Sequence, residues 1–269
     1  MSLETAIAVT IAGSDSGGGA GIQADLKTFS ALGVYGASVL TALTAQNTVG
    51  VQGIHDVPPP FVAAQIDSVF SDLDVDAVKI GMLSRSDVIE AVADGLHRHR
   101  AERVVLDPVM VAASGDRLLL PEAIDTLRRV LIPKALLVTP NLPEAAALLD
   151  EPVAADEEAM RAQAERILAL GPGAVLVKGG HAEGAESVDV LVDRSGARRF
   201  ASPRIATNNS HGTGCTLSSA IAAGLAKGLG LQEAIEGAKA YVGAAIGASD
   251  RLRIGHGHGP VHHFHAVWS

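Results

Sequence analysis

One cysteine, Cys215, stands in a chain of 269 residues, so no disulfide can form within it and the composition fits a reducing compartment. Aromatic rings are equally scarce at 3%, and the formal charge is -9. A nucleic-acid surface needs basic groups and stacking rings, so that class is excluded. Long apolar runs are missing as well. The apolar stretch after Gly214 is interrupted by Ser218, Ser219 and Lys227 and falls short of the roughly 18 residues a membrane span requires. Met1-Ser2-Leu3-Glu4 carries neither a basic region nor a cleavage site, and the expectation is a cytoplasmic protein without a membrane partner.

What is present is core-forming material. Hydrophobic residues make up 48% and charged residues 19%, enough for one globular domain over 1–269. Short apolar runs at Ala6–Ile11, Ala77–Ile80, Val104–Leu106, Leu136–Thr139 and Val175–Val177 read as strands buried on both faces. Helical periodicity fills the intervals at Ala20–Leu32, Phe61–Leu73, Ser86–His99, Pro121–Leu131 and Glu157–Leu170. This alternation predicts an α/β fold, a doubly wound and mostly parallel central sheet flanked by helices. Segments 38–45 and 49–57, and the pair 187–193 and 198–201 joined by Asp193-Arg194-Ser195-Gly196, fit hairpins or small edge strands. Helices at about 213–228 and 231–249 complete the pattern.

The first glycine-rich segment, Gly13 to Gly21, follows a strand and opens a helix, where backbone amides bind anions or polar ligands. It lacks the Gly-Lys-Ser/Thr ending of a P-loop. It also lacks the acidic residue about 20 positions later that a dinucleotide fold needs, since none lies between Asp25 and Asp56. A plain strand-to-helix turn is the competing reading. A second segment, His211-Gly212-Thr213-Gly214-Cys215-Thr216, precedes a long apolar helix and offers unpaired amides at its positive end. Gly212 and Gly214 let the backbone approach a transferring phosphoryl group, as in an anion hole. Cys215 in the first turn is expected to have a lowered thiol pKa, against the alternative of a small buried residue.

A third group sits at strand ends: Asp107, then Asn141 and Glu144, then Lys178 in Lys178-Gly179-Gly180-His181. Ligands of open parallel sheets bind beyond the carboxyl ends of the strands, so these groups are expected to converge. Asp107 and Glu144 are placed to organise hydrated magnesium without a protein-only metal site, and Lys178 to offset phosphate charge. Asn141 and Glu144 equally suit a helix cap, and Lys178 a solvated strand end. The histidine-rich stretch from Gly255 to His265 lacks cysteine or carboxylate support, so packing is expected there in place of a metal site.

Taken together, the blocks Thr10–Asp15, Ala20–Thr28, Thr41–Thr48, Lys79–Leu83, Leu106–Met110, Thr139–Ala145 and His211–Thr216, with the ending His262-His263-Phe264-His265, resemble the bacterial hydroxymethylpyrimidine/phosphomethylpyrimidine kinases. The resemblance spans nearly the whole chain. It implies a ribokinase-like fold, ATP with Mg2+, and phosphorylation of a pyrimidine hydroxymethyl group and then of the monophosphate, in thiamine biosynthesis. It implies that Gln46 bonds the pyrimidine edge, with Gly13 and Met82 lining the pocket and Val109 nearby. It assigns Gly212, Gly214 and Cys215 to the anion hole, Cys215 standing where many ribokinase-like enzymes carry an aspartate base, and it implies a homodimer. Ser14-Asp15-Ser16-Gly17 departs from the common Thr-Asp-Pro-Ser, and a looser loop is expected because serine does not fix φ. Adenine contacts are expected from the variable segments between Thr207 and the last helices, and none is assigned to a residue. The rival readings are a pyridoxal or pyridoxine kinase of the same superfamily and a catalytically silent binding relative.

Overall fold

The computed structural model describes residues 5–111, 118–180 and 184–268. Met1 to Glu4, and His181 of the third group, lie outside the described residues.

The apolar runs become strands. Among the described residues an eight-stranded sheet has the order β10-β9-β8-β7-β6-β5-β1-β2. Its parallel part is β1 (Ile7–Ala12), β2 (Tyr35–Leu40), β5 (Ala77–Ile80), β6 (Val104–Leu106), β7 (Leu137–Val138) and β8 (Ala174–Lys178). β9 (Glu186–Asp193) and β10 (Gly196–Pro203) extend one edge antiparallel, through the turn expected at Asp193–Gly196. A separate two-stranded hairpin pairs β3 (Ala42–Asn47) with β4 (Gly50–Asp56), with a register shift between Ala45 and Gln46. The segment read as 38–45 is therefore two strands. Its first residues belong to β2 in the main sheet and the rest to the hairpin, the chain turning at Thr41.

Strand alternation explains why both faces are covered. Val9, Ile11, Val104, Leu106, Val138, Val175 and Val177 point into one core. Ala8, Val105, Leu137, Ala174 and Leu176, their immediate neighbours, point into the other. Helices α2 (Pro59–Phe70), α3 (Ser86–Arg98), α4 (Pro121–Thr126), α5 (Leu142–Leu149) and α6 (Glu157–Leu168) supply the first layer. Helices α1 (Gly21–Ala31), α7 (Thr213–Ala226) and α8 (Leu231–Gly247) supply the second. The helix expected over Pro121–Leu131 keeps its regular turns only to Thr126. It widens into a π-helical turn over Leu127–Leu131 before Pro133, which removes a backbone donor from the helix ladder.

β1 lies between β2 and β5, so the strand order reverses there. A reversal splays the two connecting segments apart and opens a crevice at the carboxyl ends of the strands.

Candidate active site

The crevice brings together the candidate substrate, phosphate and anion-hole residues. A cavity of about 1010 Å³ is lined by Gly13, Gln46, Met82, Asp107, Val109, Asn141, Glu144, Lys178, Gly212, Gly214 and Cys215. Gly13, Met82, Asp107, Asn141 and Lys178 sit at or just past the ends of β1, β5, β6, β7 and β8. Gly212 to Cys215 lie at the N-terminus of α7, and Gln46 comes from the hairpin.

Asp15, which the sequence reading left without a role, organises the glycine-rich loop. Its carboxylate accepts from the amides of Gly17 (2.8 Å), Gly19 (3.0 Å) and Ala20 (2.8 Å) and meets His211 Nε2 at 3.0 Å. Burial raises its pKa, but the His211 bond and the amides outweigh that and hold it below the usual value. The loop is thereby tied to the entrance of α7. Ser16 Oγ donates to the Gln46 carbonyl and accepts from the Gln46 amide, each at 2.8 Å. Thr44 Oγ1 stands 3.1 Å from Gln46 Oε1.

At the other end of the crevice, Lys178 Nζ donates to Asp107 Oδ1 at 2.7 Å and stands 4.0 Å from Glu144 Oε2. Its side chain is 12% exposed, which rules out the solvated strand end. Thr139 Oγ1 and Ser218 Oγ also donate to Asp107, both at 3.3 Å. Burial acts against the charge of Lys178, but the Asp107 and Glu144 carboxylates outweigh it and raise its pKa. Asn141 and Glu144 do form the capping box of α5, each side chain bonded to the other's backbone amide at 2.8 Å. Burial pushes Glu144 up to about 7, with Lys178 opposing and Asp107 reinforcing the shift.

Gly212 opens α7 with φ +81, and a Cβ there would collide with the Gly19 carbonyl. A Cβ on Gly214 would lie 3.3 Å from Lys178 Nζ, so the ammonium faces the free amides of the helix. The expectation of a lowered Cys215 thiol pKa is overturned. Desolvation pushes it up to about 11; Lys79 pulls down, while Asp25 and Asp107 push up. The dipole of one helix end does not offset burial between two carboxylates.

The histidine-rich stretch packs against the site. The amides of His256 and Gly257 reach Thr48 Oγ1 at 3.2 Å, and that of His258 reaches the Thr48 carbonyl at 3.0 Å. His211 pairs with Pro260, and His263 Nε2 meets Thr216 Oγ1 at 3.1 Å. Burial, helped by Lys27, holds His263 down at about 4, so it is neutral. Among the described residues no cluster of three or more His, Cys, Asp or Glu could hold a metal ion.

Sequence reasoning missed two features. One is a second lobe of the cavity, walled by Ser202 to Thr207 at and beyond the end of β10 and by Val242, Gly243 and Ile246 of α8. The other is a buried ion pair, Lys79 with Asp25, at 2.8 Å. A lysine inside the apolar run Ala77-Val78-Lys79-Ile80 was the available signal, because a buried ammonium requires a partner.

The profile of the phosphomethylpyrimidine kinase family matches residues 15–262. A hydroxymethylpyrimidine/phosphomethylpyrimidine kinase of Rhizobium meliloti is 63% identical, covering 98% of this chain and 99% of that one. Its counterpart in Salmonella typhimurium is 59% identical, covering 97% and 98%. An ADP complex of Bacillus subtilis pyridoxal kinase superposes with a TM-score of 0.89 at 38% identity, over 97% of this chain and 98% of that one. With the profile over most of its length and relatives at this identity, the chain belongs to the phosphomethylpyrimidine kinase family.

Proposed function

We propose that this chain transfers the γ-phosphoryl group of ATP to the hydroxyl of 4-amino-5-hydroxymethyl-2-methylpyrimidine and then phosphorylates the monophosphate to the diphosphate, in thiamine biosynthesis. The observation that carries this reading is one cavity joining a pocket of Gly13, Gln46, Met82 and Val109 to the open amides of α7. The pocket suits a flat heteroaromatic ring. Gln46 offers both a donor and an acceptor to its edge. The acceptor hydroxyl then lies beside Cys215 and attacks the γ-phosphorus as the bond to ADP breaks.

The amides at Gly212, Gly214 and Cys215 stabilise the charge on the transferring group, and Lys178 adds a cation 3.3 Å from the Cβ position of Gly214. A thiol with a pKa of about 11 keeps its proton at neutral pH and is not available as a base, so positioning contributes more than deprotonation. The second lobe, largely apolar between Ile205 and Ile246, suits the adenine. Asp107 and Glu144 are two carboxylates flanking the phosphate path, a donor set that suits Mg2+ completed by water and phosphate oxygens. When bound, that ion neutralises charge on the phosphates. The chain works as a single kinase domain in the cytoplasm. It works as a homodimer, for which the exposed Leu43, Val49 and Ile54 of the hairpin supply apolar surface. A monomer mass at micromolar protein refutes the dimer.

The test is turnover of the hydroxymethylpyrimidine, its monophosphate and pyridoxal in parallel, with ATP and Mg2+, products resolved by mass. Sequential mono- and diphosphate formation supports the reading. Phosphorylation of pyridoxal alone moves the assignment to the vitamin kinase that shares the fold. A folded protein that turns over none of the three is a silent relative.

A further inference from the structure

Beneath the acceptor side of the cavity lies a closed polar knot that no step above uses. Thr10 of β1, Asp25 of α1, Lys79 of β5 and Ser219 of α7 are all fully buried. Lys79 Nζ donates to both Asp25 oxygens, at 2.9 and 2.8 Å. Thr10 Oγ1 and Ser219 Oγ each donate to the same carboxylate at 2.6 Å. Ser219 is one turn along α7 from Cys215, on the same helix face. Lys79 forms part of the cavity floor. A Cβ on Gly81 would lie 2.9 Å from its Nζ and 3.0 Å from Ala12 Cβ, which puts the ammonium between the ends of β1 and β5, beneath the crevice.

Stability does not account for the knot. Desolvating two charges offsets most of their attraction, and well-packed apolar residues hold a core as well or better. Fold alone would place an aliphatic side chain at position 79, like those of Val78 and Ile80. What the pair does supply is a fixed cation, held by two hydrogen bonds to a carboxylate that Thr10 and Ser219 hold in turn, in a fully buried place where screening is weak.

We propose that Lys79, held by Asp25, is a positioning residue for the phosphoryl acceptor. Its ammonium maintains a positive field under Cys215 and under the acceptor hydroxyl, so that negative charge arising there during transfer meets a cation already in place. Lys178 does the corresponding work on the phosphate side. The charged groups facing Cys215 are then Lys79 and Lys178 against Asp25 and Asp107. The inference rests on the reading that the acceptor lies beside Cys215, but its first test is independent of any substrate.

Cys215 is the single cysteine of the chain, so alkylation by iodoacetamide reports on this thiol alone. In Lys79→Met the midpoint of the alkylation rate against pH moves upward, each unit lowering the rate at fixed pH about tenfold. Ser219→Ala, which removes one bond and keeps both charges, leaves the midpoint in place. With the hydroxymethylpyrimidine as substrate, kcat falls in Lys79→Met while KM stays near the parent value. Where thermal melting shows that Lys79→Met does not fold, Asp25→Asn/Lys79→Met is compared with Asp25→Asn, and its midpoint lies higher because only the cation differs between the two. A folded variant with an unmoved midpoint overturns the proposal, and a moved midpoint with unchanged kcat overturns the link to the acceptor. If the parent enzyme phosphorylates no pyrimidine, the assigned function fails while the alkylation result still decides whether Lys79 sets the field.

Discussion

Gln46 and Glu144 show how much one side chain does here. Gln46 lines the cavity with its backbone pinned by Ser16, so its amide is presented without a search through loop conformations. Gln46→Ala leaves the ring edge unpaired, worth about 1–3 kcal/mol, and kcat/KM for the pyrimidine falls roughly 10- to 100-fold in steady-state assays. Glu144 makes a statement about pH. Burial raises its pKa from 4.5 to about 7, so the fold favours the protonated carboxyl. Its contribution to stability is complete below 4.5 and is lost as pH rises through about 7. Glu144→Gln, which mimics the protonated form, removes that part of the decline in melting temperature between those pH values. At this scale the sequence was informative about identity and less so about charge state. Cys215 was legible as a first-turn residue of α7, but the burial that chiefly holds its proton on, and the carboxylates of Asp25 and Asp107 that add to it, come from positions far away in the chain.

Among elements, the N-terminus of α7 matters most. Its amides are open because Gly212 adopts φ +81 and packs against Gly19, and because Asp15 holds the glycine loop and His211 together. Gly212→Ala forces the helix start away from Gly19, and kcat drops by about 100-fold, the usual loss for one misplaced donor in an anion hole, while the protein remains folded by circular dichroism. Asp15→Asn keeps one acceptor oxygen where two served three amides and His211. The lost charge-assisted bonds are worth about 1.5–3 kcal/mol, read as a lower midpoint in denaturant unfolding. Both glycine segments were visible from their place between strand and helix. Their mutual contact was not, since 196 residues separate His211 from Asp15. β2 was misread for a local reason: Tyr35-Gly36-Ala37-Ser38 is too weakly apolar to signal a strand, and its burial comes from packing beside β1.

For the whole molecule, alternation of apolar runs with helical periods was enough to give a parallel sheet, because β1, β5, β6 and β8 are buried on both faces and show it. The place where strand order reverses could not be read, since it depends on which neighbour each strand chooses, and the cavity follows from it. One contact of the histidine-rich stretch reaches further. His256 bonds Thr48 across 208 positions, and that bond adds to the support of the hairpin bearing Gln46. Contacts so distant in sequence close late, because the entropy of the intervening loop is lost before they form. A nascent chain therefore completes its sheet from local crossovers while its substrate pocket is still unfinished, and the enzyme passes through synthesis as a scaffold before it acquires a site.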